Sequence, residues 1–175
     1  MIMDGLLLFD GSMGSNGTLS GTAVNSGTTF VVGNQDSANI IDLSQLASSN
    51  KGYGRDIGIG DDPAVLIDCL IAANFTGAGA TMAVQLQTAP DNGSGSPGSW
   101  TVLEQTPALA VSTLTAGTEI FRTPVPAGVQ KFLKLTYVIG TANMTAGSII
   151  STLVLDRSAL GPLMGYQSGY SNQYL

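Results

Sequence analysis

Histidine is absent from this 175-residue sequence, cysteine occurs once, and only 10% of the residues carry a charge. Without histidine there is no Ser-His-Asp or Cys-His nucleophile system, no imidazole acid–base chemistry and no histidine metal ligand. A lone cysteine, Cys69, makes neither an internal disulfide nor a cysteine-rich zinc site, so the fold does not depend on an oxidising compartment. The charged fraction is far below the roughly 25% of an average domain. Cations are the scarcest: six Lys and Arg stand against twelve Asp and Glu, a formal charge of −6. A nucleic-acid binder needs a basic face to displace counterions from phosphate, so no nucleic-acid partner is expected. No Lys or Arg precedes Lys51, and Asp4 and Asp10 sit in the opening segment, so neither a secretory signal nor a transit peptide is expected. The longest apolar stretch, Ala64 to Phe75, is interrupted by Asp68 and falls short of the roughly 20 residues that span a bilayer. The expected protein is soluble, made in the cytoplasm and without a membrane anchor.

What is present is the material of a β protein. Apolar residues make up 43% of the chain, enough for a core, and the polar surface must come from Ser, Thr, Asn, Gln and backbone. Periodicity is two nearly everywhere. Met82, Val84 and Leu86 alternate with Thr81, Ala83, Gln85 and Gln87, and Leu133, Leu135, Tyr137 and Ile139 alternate with Phe132, Lys134, Thr136 and Val138. Ala64–Phe75 alternates more weakly, with Val65, Ile67, Cys69, Ile71 and Phe75 on one side, which suits a central strand covered on both faces. Further strands are expected at Leu6–Phe9, Thr28–Val32, Ala38–Leu43, Trp100–Gln105, Thr118–Thr123 and Ser148–Leu155, about nine in all. Gly- and Pro-rich breaks such as Pro90–Ser99 and Pro124–Gly128 separate them. Many short strands with turn chemistry between them predict an all-β fold, an antiparallel β-sandwich of jelly-roll type. The one helical candidate lies near Ser44–Asn50. Residues 1–157 form the sandwich domain in this reading, with a flexible Gly/Ser-rich insert at 11–27. Residues 158–175 form a C-terminal arm.

Few residues offer chemistry. The Asp56–Asp62 cluster lacks the spacing of an EF-hand loop and reads as an Asp/Gly-rich β-connection rather than a Ca²⁺ site. Gly58 and Gly60 lack the strand–GxGxxG–helix setting of a dinucleotide site. With Glu104 and Glu119 the only glutamates, a facing pair of carboxylates for glycoside hydrolysis is not expected. Cys69, inside an apolar strand, reads as a small core residue. No enzyme activity, metal or cofactor is expected.

Two segments suggest contact with other surfaces. Leu6, Leu7, Leu8 and Phe9 form an apolar run in which only alternate positions can face one core, so the others call for a second surface on a partner. The arm carries no charge after Arg157 and repeats Tyr166, Tyr170 and Tyr174 every four residues, with Gly and Pro that oppose a lone helix. A self-packed tail and a docking arm both fit that pattern. A sandwich with so few surface charges has little to prevent edge pairing, which favours a homodimer, with a trimer as the alternative.

The chain resembles the capsid cement (decoration) proteins of short-tailed and related bacteriophages, the family typified by a Bordetella phage cement protein. The carrying segments are MIMDGLLLF at the start, Asn39-Ile40-Ile41-Asp42-Leu43 followed by Arg55-Asp56-Ile57-Gly58 and Gly60-Asp61, Ala80–Asp91, and above all Val125–Arg157. Their order and spacing extend over most of the chain but leave out the 11–27 insert and the Tyr-rich tail. The resemblance implies a non-catalytic jelly roll on the outer surface of an icosahedral head. It would bind at junctions between copies of the major capsid protein and stabilise the mature shell. From another class, a carbohydrate-binding β-sandwich of a fibre or adhesin is the rival reading, with Trp100 its one candidate for stacking on a sugar.

Overall fold

The computed structural model describes residues 7–14, 18–24, 30–43 and 65–155. Among them the strands, in chain order, are β1 (Leu8–Asp10), β2 (Ser12–Met13), β3 (Leu19–Ser20), β4 (Thr22–Ala23), β5 (Gly33–Asp36), β6 (Ile41–Asp42), β7 (Val65–Thr76), β8 (Thr81–Ala89), β9 (Thr101–Gln105), β10 (Leu109–Ala110), β11 (Glu119–Pro124), β12 (Phe132–Gly140) and β13 (Ala146–Leu155). One sheet runs β1-β13-β7-β11, with β4 also paired to β13; the second runs β10-β8-β12-β5, with β6 on β12 and β9 on β8. Every pairing is antiparallel, and the two sheets pack as a sandwich around one core. Among the strands of three or more residues, only β8 and β9 follow one another within a sheet; every other connection crosses from sheet to sheet. The expected antiparallel β-sandwich is thus what the described strands form.

The two-residue periodicity has a direct outcome. β8 and β12 pair without interruption from Phe132↔Ala89 to Gly140↔Thr81. Met82, Val84, Leu86, Leu133, Leu135, Tyr137 and Ile139 all enter the core from this ladder. From the other sheet, Val65, Ile67, Cys69, Ile71 and Phe75 of β7 and Ile149 and Leu153 of β13 meet them. β7 lies between β13 and β11, and in its first half both faces are covered: Leu66 is buried as well as Val65 and Ile67. Farther on, Ala72, Ala73 and Asn74 are exposed.

Glycine permits the sandwich to close at two places. The corner from β7 to β8 turns at Gly77 (φ 152°), where a Cβ would stand 2.7 Å from the Asn143 carbonyl oxygen. In β13 the ladder to β7 slips beside Gly147 (φ 128°), and a Cβ there would lie 2.5 Å from Cγ of Phe75. Phe75 therefore packs in the space that a side chain at position 147 would occupy.

Several expectations need correction. The strand expected at Thr28–Val32 lies instead at Gly33–Asp36. Phe30 has φ 56°, which turns the chain and sends its ring into the core against Phe75 and Tyr137. The strand expected at Ala38–Leu43 shortens to Ile41–Asp42. The 11–27 segment is not a plain flexible insert, since its described parts contain β2, β3 and β4. β2 and β3 pair with each other, and β4 extends the first sheet through Ser148↔Ala23 and Ile149↔Thr22. The Ser44–Asn50 helix and the Asp56–Asp62 cluster lie outside the described residues.

Two substitutions test this packing. Leu135→Ala removes a fully buried side chain and is expected to cost about 2–5 kcal/mol in denaturant unfolding. Gly147→Ala, which meets both the positive φ and Phe75, is expected to destabilise the fold as well, whereas Gly93→Ala in the open 90–99 loop is expected to cost far less.

Candidate functional site

The apolar run at the start of the chain does not offer the surface expected of it. Leu8 and Phe9 are 2% and 0% exposed within this single chain, and Leu7 is half-buried against the core. The reason is a slip in the β1–β13 register between Leu8↔Thr152 and Asp10↔Ser151. It breaks the alternation and directs both Phe9 and Asp10 into the sandwich. Leu8, Phe9 and the half-buried Leu7 are thus satisfied within the chain, and the partner surface invoked for the run is not required there. Leu6, Tyr166, Tyr170 and Tyr174 lie outside the described residues.

What the register slip does produce is a buried polar row across the sandwich. The Tyr137 hydroxyl, from β12, is 2.6 Å from Asp10 Oδ2 on β1 and 2.6 Å from Ser151 Oγ on β13. Ser151 Oγ is 3.2 Å from Cys69 Sγ on β7. The Ala38 amide donates to Asp10 Oδ1 at 3.0 Å. All four side chains in the row are nearly inaccessible. Burial raises the Asp10 carboxyl above its ordinary 3.8, against the opposing hydrogen bonds from Tyr137, Ala38 and Thr22. Burial also pushes the Cys69 thiol up to about 12 and the Tyr137 phenol well above 10.

Counting protons shows how the row is satisfied. Three contacts join four groups, so each contact needs one proton. With Asp10 protonated, the bonds run Asp10 to Tyr137 to Ser151 to Cys69. With Asp10 ionised, they run the other way, from the Cys69 thiol through Ser151 and Tyr137 to the carboxylate. Either direction fills every contact. The row is therefore structural chemistry, and the neutral, enclosed thiol is no nucleophile.

The outer face of the second sheet carries a second polar group. Lys134 Nζ bonds Asp36 Oδ2 at 2.6 Å and lies 4.6 Å from the centroid of the Trp100 ring, while Thr136 Oγ1 donates to Asp36 Oδ1 at 2.7 Å. Burial pushes the Asp36 carboxyl up, but Lys134 and Thr136 outweigh it and the net shift is downward. One face of Trp100 is thus occupied by an ammonium group, an arrangement the sequence did not suggest. Beside it, Lys131 pairs with Asp91, which accepts from the Gly93 and Gly95 amides and so fixes the 90–99 loop. On the first sheet, Arg122 pairs with Glu119 at 3.2 Å. All three cations among the described residues are held by acids of the same chain. Next to Arg122, burial and the neighbouring Glu119 raise the Asp68 carboxyl, whose Oδ1 is the one buried side-chain oxygen left without a hydrogen bond among the described residues.

Large exposed apolar side chains are few: Met13, Val32, Ile40 and Val102. They belong to different strands and loops, which is the ordinary scatter of a polar surface. Glu104 on β9 accepts from Thr123 Oγ1 on β11 at 2.8 Å, so the rim of one sheet is tied to the rim of the other. Among the described residues, no three acidic or thiol side chains come together to hold a metal.

The sign of the Asp10 shift makes a prediction. A carboxyl with a raised value in the folded state contributes stability below its unfolded value of 3.8, and that contribution is lost as pH rises through the raised value. Asp10→Asn keeps an acceptor for the Ala38 amide, places an NH2 donor against the Tyr137 hydroxyl where the protonated carboxyl would donate, and removes the charge. It is expected to melt at or above the parent at pH 7, with the advantage gone near pH 4. Tyr137→Phe removes the shared hydroxyl and is expected to cost about 1–3 kcal/mol at pH 7. Thermal unfolding at the two pH values checks both.

Comparison with known proteins supplies the identity. No curated protein matches the chain. The family model Bbp16 matches residues 25–153, more than half of the sequence and most of the sandwich. The chain belongs to the Bbp16 family, a family of Bordetella phage proteins.

Proposed function

We propose that this chain is a structural protein of the phage head, a cement protein that binds the outer surface of the icosahedral capsid at junctions between major capsid proteins and stabilises the mature shell. The observation that carries the reading is membership of a phage protein family over the sandwich itself, together with the cement-protein resemblance of Val125–Arg157. It acts without catalysis, metal or cofactor. The physical mechanism is linkage: a protein that binds only the expanded shell stabilises it by the free energy of binding. That is about 2.7 kcal/mol for each site at a concentration one hundred times Kd. Many equivalent lattice sites multiply a modest local contact.

The surface chemistry suits this role. With cations already paired and apolar side chains scattered, the described surface offers Ser, Thr, Asn, Gln and backbone groups for polar contacts. In this proposal the Tyr-rich arm adds anchors at Tyr166, Tyr170 and Tyr174, and the free protein is a homodimer, with a trimer as the alternative. The carbohydrate reading is weaker, because the only Trp already holds an ammonium group against its ring.

Purified protein mixed with expanded, undecorated phage heads is expected to co-sediment to a saturating number of copies and to raise the temperature at which the heads break. Failure to sediment at micromolar concentration overturns the proposal. Deleting residues 160–175 is expected to leave the melting temperature of the free protein nearly unchanged while lowering capsid occupancy. A sharp drop in melting with normal binding per folded molecule makes the tail part of the core instead.

A further inference from the structure

The loop between β8 and β9 carries an Asn-Gly step, Asn92-Gly93, and both residues are exposed to water. An asparagine before glycine is open to attack on its own side chain: the glycine nitrogen adds to the asparagine Cγ and closes a succinimide ring. Gly93 leaves the approach clear, with φ 90° and nothing within 4 Å of where a Cβ would stand. In a free peptide the reaction waits for the glycine amide to lose its proton, for the carboxamide to be polarised and for the side chain to fold back. The loop holds a group for each of these needs.

The Gly93 amide donates to Asp91 Oδ1 at 2.8 Å, within the reach that a general base needs for the proton it takes. Asn92 Oδ1 accepts from the Ser94 amide at 2.9 Å and the Ser94 hydroxyl at 2.7 Å, and more distantly from the Ser96 amide at 3.4 Å. These donors sit on the atom where negative charge develops as Cγ becomes tetrahedral, which is the work of an oxyanion hole. The bond from the Ser94 amide is also an Asx turn, which folds the Asn92 side chain back along the Gly93 peptide. The Asn92 amide in turn donates to the Ser96 carbonyl at 2.9 Å and steadies the backbone. Lys131 takes the other oxygen of Asp91. That bond lowers the Asp91 carboxyl, which keeps it ionised but makes it a mild base, so the reaction it assists is slow.

We propose that Asn92 is a self-modifying site, converted in the folded chain to aspartate and isoaspartate by its own loop. The Gly93 nitrogen bonds to Asn92 Cγ while its proton passes to Asp91. The Cγ–Nδ2 bond then breaks, and Nδ2 leaves as ammonia with that proton. Water opens the succinimide at either carbonyl, and Asp91 is returned unchanged. The isoaspartate product has an extra main-chain carbon between residues 92 and 93 and a new carboxylate beside Asp91, so an aged molecule differs from a fresh one in the charge and course of this loop. The site does not depend on capsid binding, and the free chain is enough to test it.

The full-length protein and a synthetic peptide of residues 90–99 are held side by side at neutral pH and physiological temperature. Residue 92 is followed by peptide mass spectrometry, and isoaspartate by methyltransferase labelling. The folded chain is expected to convert about tenfold or more faster than the peptide. Asp91→Asn and Ser94→Ala are each expected to slow the folded chain and to leave the correspondingly changed peptide alone, whereas Gly93→Ala slows both. Lys131→Gln frees Asp91 to be a stronger base and is expected to speed the folded chain, which a merely structural role for Asp91 would not do. Conversion no faster in the folded chain than in the peptide overturns the proposal. So does an unchanged rate in Asp91→Asn or Ser94→Ala, or no gain in Lys131→Gln.

Discussion

The Tyr137 hydroxyl crosses the sandwich, and much else depends on where it ends. It leaves β12 in the second sheet and is met by Asp10 and Ser151 from two neighbouring strands of the first. Hydrophobic burial holds the sheets together but does not fix how one lies over the other. A buried hydroxyl does, because leaving it unpaired costs about as much as several good contacts contribute. The slip in β1, the inward turn of Asp10 and the polar Ser151 in an otherwise apolar inner row of β13 all serve that one point. Phe30 completes the arrangement by covering the Tyr137 ring from the side where the sheets part.

The fold was legible where one face of a strand is buried over a long ladder. β8 and β12 read correctly because alternation over nine residues leaves only one register. The segments that misled are those too short to have a period. Two-residue strands such as β2, β3 and β4 give no pattern, so their Ser, Gly and Thr content read as a loop. β5 was displaced because Phe30 behaves like a strand residue in the sequence but occupies a turn in the structure. The alternation argument for Leu6–Phe9 failed at the register slip, which nothing in four apolar letters announces. The polar row was invisible for another reason: Asp10 and Tyr137 are 127 positions apart, and only the closed sandwich brings them together. One hint existed, an aspartate directly after an apolar run.

The surface follows from the same shortage of charge that opens the sequence. Lys134 is largely covered, its ammonium shared between Asp36 and the Trp100 ring, and Lys131 is shared between Asp91 and Asp42. Such cations act as internal fasteners for the outer face of the second sheet. Rim pairs of this kind contribute little each, but they also remove free charges that would steer the molecule electrostatically. What remains on the described surface is a sparsely charged skin of hydrogen-bonding groups, whose amide and hydroxyl contacts change little with salt, since screening acts on charges and not on dipoles.

The order in which the strands are joined bears on how the molecule comes into being. β1 pairs with β13, and β5 pairs with β12, so among the described strands of three or more residues the first two find their neighbours only in the last two. Those late strands are also the central ones, β13 between β1 and β7 and β12 between β8 and β5. At ribosomal speeds of 5–20 residues per second, Asp10 waits roughly ten seconds for Ser151 to be made. No half of the sandwich can form ahead of the rest, and contacts of such long range fold slowly. An interrupted chain therefore has no complete sandwich to offer, which makes synthesis of the last described strands the step that closes the fold.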